Sequence, residues 1–174
     1  MQKAVITYLN KMSIKILESL NSSEIKEFKA EILTKRSIGS ILFEIKEISS
    51  DMTLEESEDL TEVLDLFVSQ MGHIGLGDHW KEIHQAAAQK ILALVLTKDL
   101  AYDSKIMAIE EAEKISTKMF NFFQNPCKFF TNAVFANNYS ALSAWDSLTD
   151  ATFDTGIIFV SATLIGMLWV KDED

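Results

Sequence analysis

Apolar residues recur along most of the chain at intervals of three and four, the spacing that places them on one face of an α-helix. The first stretch of this kind contains Val5, Leu9, Met12, Ile16 and Leu20. The same spacing predicts helices over residues 2–20, 23–48, 53–71, 79–97, 104–124, 126–136 and 139–147. We expect the helix over 23–48 to be bent, or to be two shorter helices, because the pattern weakens around Gly39.

The predicted helix over 53–71 begins with Thr53-x-x-Glu56, the sequence of a capping box. Opposite its apolar stripe lies a run of acidic positions: Glu55, Glu58, Asp59, Glu62 and Asp65. No Lys or Arg balances them, and like charges three and four positions apart destabilise a helix by a few tenths of a kcal/mol per pair. This face is either an ordinary solvated surface or a contact surface for a basic partner.

The pattern changes after about Asp150. Residues 156–160 and 164–170 are runs of β-branched, aromatic and other apolar side chains, separated by Ser161-Ala162-Thr163. They predict a β-hairpin over about residues 156–170, which must pack on the helices or pair with a strand of another chain. The expected fold is therefore mainly α, a single-domain multi-helix bundle over residues 1–174 with a C-terminal β-hairpin.

Composition agrees with one domain, since 174 residues of which 48% are hydrophobic can form a core without a disulfide or metal. Cys127 is the only cysteine, which excludes an intrachain disulfide and is typical of a reducing compartment. The first residues lack the apolar run of a secretory signal. The longest apolar stretch, 156–170, is shorter than the roughly 20 residues that span a bilayer. These features predict a cytoplasmic protein without a membrane anchor.

The formal net charge is −10. A field of this sign repels phosphate backbones and attracts basic protein surfaces. We therefore expect no direct binding of nucleic acid and a preference for basic partners.

Three histidines, His73, His79 and His84, fall close together and raise the question of a metal site. His79 and His84 are five positions apart, on different faces of a helix, and no His-Glu-x-x-His sequence is present, so we predict no metal. The glycine-rich segment 72–78 lacks the Lys-Ser/Thr of a phosphate loop and is predicted to be a flexible turn. No sequence of a nucleophile elbow occurs. We predict a protein without cofactor or catalytic activity.

The segments Phe153–Val160 and Gly166–Val170, followed by Asp172, Glu173 and Asp174, are carried by a small acidic chain. In size, charge and general build, the chain resembles the immunity proteins of bacterial contact-dependent growth inhibition systems. The resemblance implies an intracellular protein that binds a toxin domain, often a nuclease, and blocks its active or substrate-docking surface. The acidic positions of the helix over 53–71, together with Asp172, Glu173 and Asp174, are then the candidate residues that bind the basic toxin domain.

Two other functions stay open. One is a structural or adaptor protein that forms homodimers through its Phe-rich helices or its hairpin. The other is a helical protein that holds a small ligand, or an unrecognised enzyme, with a cavity among its helices. Concentration-dependent mass would favour the first, and a deep polar-lined pocket would favour the second.

Overall fold

The structure, a computed structural model, describes residues 6–9, 12–50 and 59–174. Its strands are β1 (Ile6–Leu9), β2 (Met12–Ser19), β3 (Ser40–Ser50), β4 (Lys81–Ile83), β5 (Cys127–Thr131), β6 (Ala133–Ala136), β7 (Ala141–Trp145), β8 (Phe153–Ser161) and β9 (Leu164–Asp172). Its helices are α1 (Ser23–Lys35), α2 (Thr61–Gln70), α3 (Gln85–Thr97) and α4 (Ile109–Asn121), with a 3₁₀ turn at Gly77–His79.

Seven strands form one sheet in the order β1-β2-β3-β9-β8-β5-β4, and every neighbouring pair is antiparallel. The two remaining strands, β6 and β7, pair with each other in a separate hairpin. The last two strands along the chain, β8 and β9, therefore lie at the centre of the sheet.

A hydrophobic core covers each face of the sheet. One core lies beneath α1, α3 and α4, and the other lies beneath α2. Alternate residues of β8 divide between them, with Ile157 and Phe159 in the first core and Ile158 and Val160 in the second. Because both faces are covered, β8 is apolar at nearly every central position rather than alternating between apolar and polar residues.

The prediction of a mainly α fold is wrong. The structure is mixed, with 34% helix and 35% strand. Five ranges predicted as helix contain strands, and four of them contain the longer ones: 2–20 contains β1 and β2, 23–48 contains most of β3, 126–136 contains β5 and β6, and 139–147 contains β7. The short strand β4 also lies inside the range 79–97.

The physical reason is visible in β2 and β3. Ile14 and Ile16 of β2 are two positions apart and both buried, as are Phe43 and Ile45 of β3. A period of two and a helical period share many positions in a short segment, so the apolar spacing alone did not separate them. Tertiary pairing with the central strands decides the conformation here.

The four helices lie within predicted ranges, although each is shorter than its range. The structure also has the hairpin predicted near 156–170, formed by β8 and β9. Its outer neighbours are β3 and β5 of the same chain, so both edges are paired internally. The capping box at Thr53 and Glu56 lies outside the described residues. Within the described part, none of the helices has the length and apolar character needed to cross a membrane.

Candidate functional site

The acidic positions predicted on one helix face have different surroundings in the structure. Glu55 and Glu58 lie outside the described residues. Asp59 is exposed just before α2, and its carboxylate accepts a hydrogen bond of 2.8 Å from the Thr61 amide. Two hydrogen bonds from Thr61 lower the pKa of Asp59; the one from the side chain has the larger effect and the one from the backbone amide the smaller. Glu62 is exposed on the first turn of α2.

Asp65 has a structural role. Its carboxylate accepts a 2.7 Å hydrogen bond from the Trp80 indole Nε1 and a 3.2 Å hydrogen bond from the Gly77 amide. Trp80 packs edge-on against Trp169 of β9, with ring centroids 6.2 Å apart. Gly77, near the end of the segment 72–78, is therefore bonded to α2, and Trp80 just after the segment packs on the sheet.

Asp172 is fully buried and has a structural role as well. Its two carboxylate oxygens accept hydrogen bonds of 2.8 and 2.7 Å from the guanidinium of Arg36. One of them also accepts the Leu100 amide at 2.8 Å. Its oxygens are engaged inside the protein, which argues against a direct contact with a partner; the predicted contact of Asp172 stays a prediction.

The next two residues, Glu173 and Asp174, are exposed, and each accepts a hydrogen bond from the hydroxyl group of another side chain. Glu173 accepts a 2.9 Å hydrogen bond from the Thr152 hydroxyl. Asp174 accepts a 3.2 Å hydrogen bond from the Tyr102 hydroxyl, and this bond raises the pKa of Tyr102. These two carboxylates, with Asp59 and Glu62, are the predicted site residues that the structure shows at the surface.

A second acidic surface, which the sequence analysis did not identify, lies on α1. Glu24, Glu27 and Glu31 are three and four positions apart and so share one side of this helix. Ser22 begins α1 by accepting the Ile25 amide at 3.2 Å. The three carboxylates line a groove of about 240 Å³ between α1 and α4, which we call the α1–α4 groove.

Two aromatic rings also line the α1–α4 groove. Phe28 is 4% exposed and lies 5.4 Å from the half-buried ring of Phe122, centroid to centroid. Phe28 is held from the sheet side by an edge-on contact with Phe43 at 5.6 Å. Because these rings belong to the helical core, the aromatic surface of the groove is fixed in position.

The acidic side chains of the α1–α4 groove differ in whether a basic side chain is paired with them. Glu31 is paired with Lys118 of α4 at 2.8 Å and with Lys35 at 3.3 Å. The hydrogen bond from Lys118 is the main reason that the pKa of the Glu31 carboxyl is lowered, with partial burial opposing it and Lys35 adding to it. Glu24 and Glu27 are exposed, and neither takes part in an ion pair with another described residue.

This arrangement is suited to a cation that carries apolar surface. A lysine or arginine side chain entering the groove would place its methylene groups against Phe122, the more exposed of the two rings, and its charge between Glu24 and Glu27. A cation over an aromatic face contributes roughly 0.5 to 2 kcal/mol, depending on how far it is desolvated. An arginine can also hydrogen-bond a carboxylate through two parallel N–H groups. The groove therefore has the chemistry to hold one basic side chain.

The described residues contain no group of three or more side chains that could hold a metal ion. His79 lies 3.5 Å from Asp146, and both side chains are largely in solvent. Burial raises the pKa of the Cys127 thiol to about 12, so its nucleophilic thiolate form is negligible at neutral pH.

The signal for the groove was present in the sequence, since the spacing of Glu24, Glu27 and Glu31 follows a helical period. Its second wall was not predictable from spacing, because α4 begins 74 positions after the end of α1. Comparisons with protein-family models, with curated proteins and with solved structures find no match for this chain.

Proposed function

We propose that the protein binds a basic protein partner by holding one arginine or lysine side chain of that partner in the α1–α4 groove. By this binding it acts as a cytoplasmic immunity protein for a basic toxin domain. The observation that carries this proposal is that Glu24 and Glu27, which form no ion pair with another described residue, lie beside the rings of Phe28 and Phe122.

The charge of the whole chain supports the same partner. A net charge of −10 attracts a basic surface over a distance and raises the rate of encounter. A nuclease toxin needs a basic surface for its phosphate-bearing substrate. A protein that occupies that surface competes with the nucleic acid, which is how binding alone would neutralise the toxin.

The division of charge within the groove supports a single basic side chain as the occupant. Glu31 is already neutralised by Lys35 and Lys118, which leaves Glu24 and Glu27 to meet an incoming cation. The two lysines also limit the groove at the Glu31 end, because a second cation placed there would be repelled. A partner residue is thus directed to the end that Glu24 and Glu27 form.

The test uses the protein encoded beside this chain's gene, purified as a candidate toxin, with binding measured by calorimetry. The variant Glu24→Gln/Glu27→Gln removes two charges from the groove. We expect its affinity to fall roughly 10-fold to 100-fold, which corresponds to about 1.4 to 2.8 kcal/mol. Cells that produce the toxin should then lose protection.

The matched control is Glu47→Gln/Asp78→Asn, which removes two charges from exposed positions of β3 and the 3₁₀ turn. The control should bind within about twofold of the unaltered chain at physiological salt, because exposed charges separated by more than about 8 Å are largely screened. Equal losses in both double variants would show that only overall charge matters. Unchanged affinity in the groove variant would exclude the groove as the binding site.

A further inference from the structure

The hairpin formed by β6 and β7 differs in character from the rest of the surface. Residues 129–145 contain no charged side chain, although 24% of the chain is charged. Within the hairpin, Val134, Ser140, Ala141, Ser143 and Ala144 are exposed. Proteins commonly protect an exposed strand edge with charged residues, and this hairpin has none. A charge-depleted surface is also a feature of the centres of protein interfaces.

The tip of this hairpin is held rigidly. Asn137, Asn138 and Tyr139 have φ angles of 53°, 55° and 63°, which form a left-handed turn closed by the Ser140 amide donating to the Ala136 carbonyl. Lys90 of α3 donates to the Asn138 amide oxygen at 3.0 Å, and its ammonium lies 5.6 Å from the centre of the Tyr139 ring. A conformation that a tyrosine rarely adopts is thus fixed by contacts with α3.

A cleft of about 520 Å³ lies between this hairpin and the loop after α3. This volume is within the usual range of ligand sites. Residues 140–142 of the hairpin form one wall, residues 98–103 form the other, and Leu94 and Phe153 also line the cleft. Among the described strands, β7 pairs only with β6, so its second backbone edge has no strand beside it.

The second wall of the cleft is also rigid. Asp99 accepts hydrogen bonds from the amides of Ala101 and Tyr102 at 3.2 and 3.3 Å. The Leu100 amide is bound to the buried Asp172, and Lys98 pairs with Lys105 in an isolated bridge. The cleft is therefore formed before anything enters it, which lowers the entropic cost of binding.

Carboxylates outnumber amines along this second wall. Within this wall, Lys98 is paired with Asp103 at 3.3 Å. Asp174 does not line the cleft, but it accepts a hydrogen bond of 3.2 Å from the hydroxyl of Tyr102, which does, and no basic side chain of the described residues is paired with it. We propose that the cleft binds an extended peptide segment that carries a basic residue and adds as a strand to the free edge of β7. Main-chain hydrogen bonds would then supply affinity, and Asp174 would select the basic side chain.

This site is separate from the α1–α4 groove and does not depend on the function proposed for that groove. In the hairpin, Val134 pairs with Ala144 and Phe135 pairs with Leu142, so a β-bulge leaves Ser143 without a partner. The part of β7 that keeps regular strand geometry is therefore short. The bound segment would pair beside Ala141 and Leu142, and only a few of its residues would be held.

The test uses the capped hexapeptide acetyl-Lys-Val-Lys-Val-Lys-Val-amide, titrated to roughly millimolar concentration into the ¹⁵N-labelled protein. We expect amide chemical shifts to change at residues 98–103 and 140–142, and exchange of β7 amides with solvent to slow. The peptide acetyl-Glu-Val-Glu-Val-Glu-Val-amide should produce neither effect. Equal binding of both peptides would overturn the basic occupant.

Two variants on one strand test the location. Ala141 lines the cleft, whereas Ala144 is exposed on the same strand and does not line it. Ala141→Trp should weaken binding of the lysine peptide roughly 10-fold or more, and Ala144→Trp should leave it within about twofold. Shifts at the α1–α4 groove are expected from the function proposed for it and do not bear on the cleft. Equal effects of the two variants, absence of shifts at residues 98–103 and 140–142, or self-association without peptide would each overturn the proposal. Glu24→Gln/Glu27→Gln should bind this peptide normally, so failure at the cleft and failure at the groove are distinguishable.

Discussion

Arg36 and Asp172 are 136 positions apart in the chain and meet in a buried ion pair through two parallel hydrogen bonds. The same guanidinium donates to the Val95 carbonyl at 2.7 Å, which ties the end of α1 to α3. One ion pair therefore joins α1, α3, β9 and the loop after α3.

Removing one member of this pair leaves the other charge buried without a partner. We expect Asp172→Ala to lower the free energy of unfolding by about 3 to 5 kcal/mol, measured by urea denaturation. The adjacent exposed residue provides the control, since Glu173→Ala should change stability by no more than about 0.5 kcal/mol. A stable Asp172→Ala protein with impaired partner binding would instead support a direct binding role for Asp172.

Gly39 and Gly72 both have positive φ angles, of 72° and 89°, but they differ in the space around them. A Cβ atom at Gly39 would clash with Oδ1 of Asp172, whereas a Cβ at Gly72 would have no atom within 4 Å. Gly72→Ala should therefore cost only the backbone strain, about 1 kcal/mol. Gly39→Ala should cost clearly more, because it also displaces the buried ion pair. Similar melting temperatures for the two variants would contradict this.

The Glu31 carboxyl has a pKa below the usual value of 4.5, chiefly because Lys118 donates a hydrogen bond to it. A lowered pKa stabilises the folded state above the unfolded-state pKa, and this contribution is lost as the pH falls through the folded-state value. Glu31→Gln should therefore be destabilised at about pH 7, by roughly 0.5 kcal/mol since the pair is partly solvated, and the difference should shrink below pH 4.5. Denaturation across this pH range measures the difference, and a difference that stays constant down to low pH would contradict the prediction.

Asp65 holds the indole of Trp80 and the amide of Gly77. Asp65→Ala leaves a largely buried indole N–H without its acceptor, which costs about 1 to 3 kcal/mol. Asp65→Asn keeps an acceptor oxygen and should cost less. Urea denaturation followed by tryptophan fluorescence would measure both, with Glu62→Ala on the same helix as a control. An effect of Glu62→Ala as large as that of Asp65→Ala would show that charge, rather than the hydrogen bond, matters.

The sequence predicted the helices better than the strands for a physical reason. In α2, Val63, Leu64, Phe67 and Val68 form a one-sided apolar stripe that no strand could share, and all four are buried. In β5 the adjacent residues Phe129 and Phe130 face opposite cores. A strand between two cores has no polar face, so its pattern resembles a fragment of a buried helix.

The candidate site was less predictable than the fold because acidic side chains have structural roles at some positions and lie exposed at the surface at others. Asp65 and Asp172 carry the charge expected of a binding surface, yet one holds a tryptophan and the other a buried arginine. Glu24 and Glu27 have the same side chains but lie beside two rings whose position only the packing of α1 against α4 determines. Sequence spacing shows which acids share a helix side, whereas burial decides which of them are available.

The position of β8 and β9 has a consequence for how the chain folds. The edge of β3 that faces away from β2 pairs only with β9, so it stays unpaired until residues 164–172 have folded. In the same way, the edge of β5 that faces away from β4 stays unpaired until residues 153–161 have folded. The two flanks of the sheet, β1-β2-β3 and β5-β4, are thus joined only when the final hairpin inserts between them. Closing such long loops before any contact is gained makes folding slow. During synthesis, the nascent chain therefore exposes unpaired strand edges until residues 153–172 are made, and that interval is when it is most prone to aggregate.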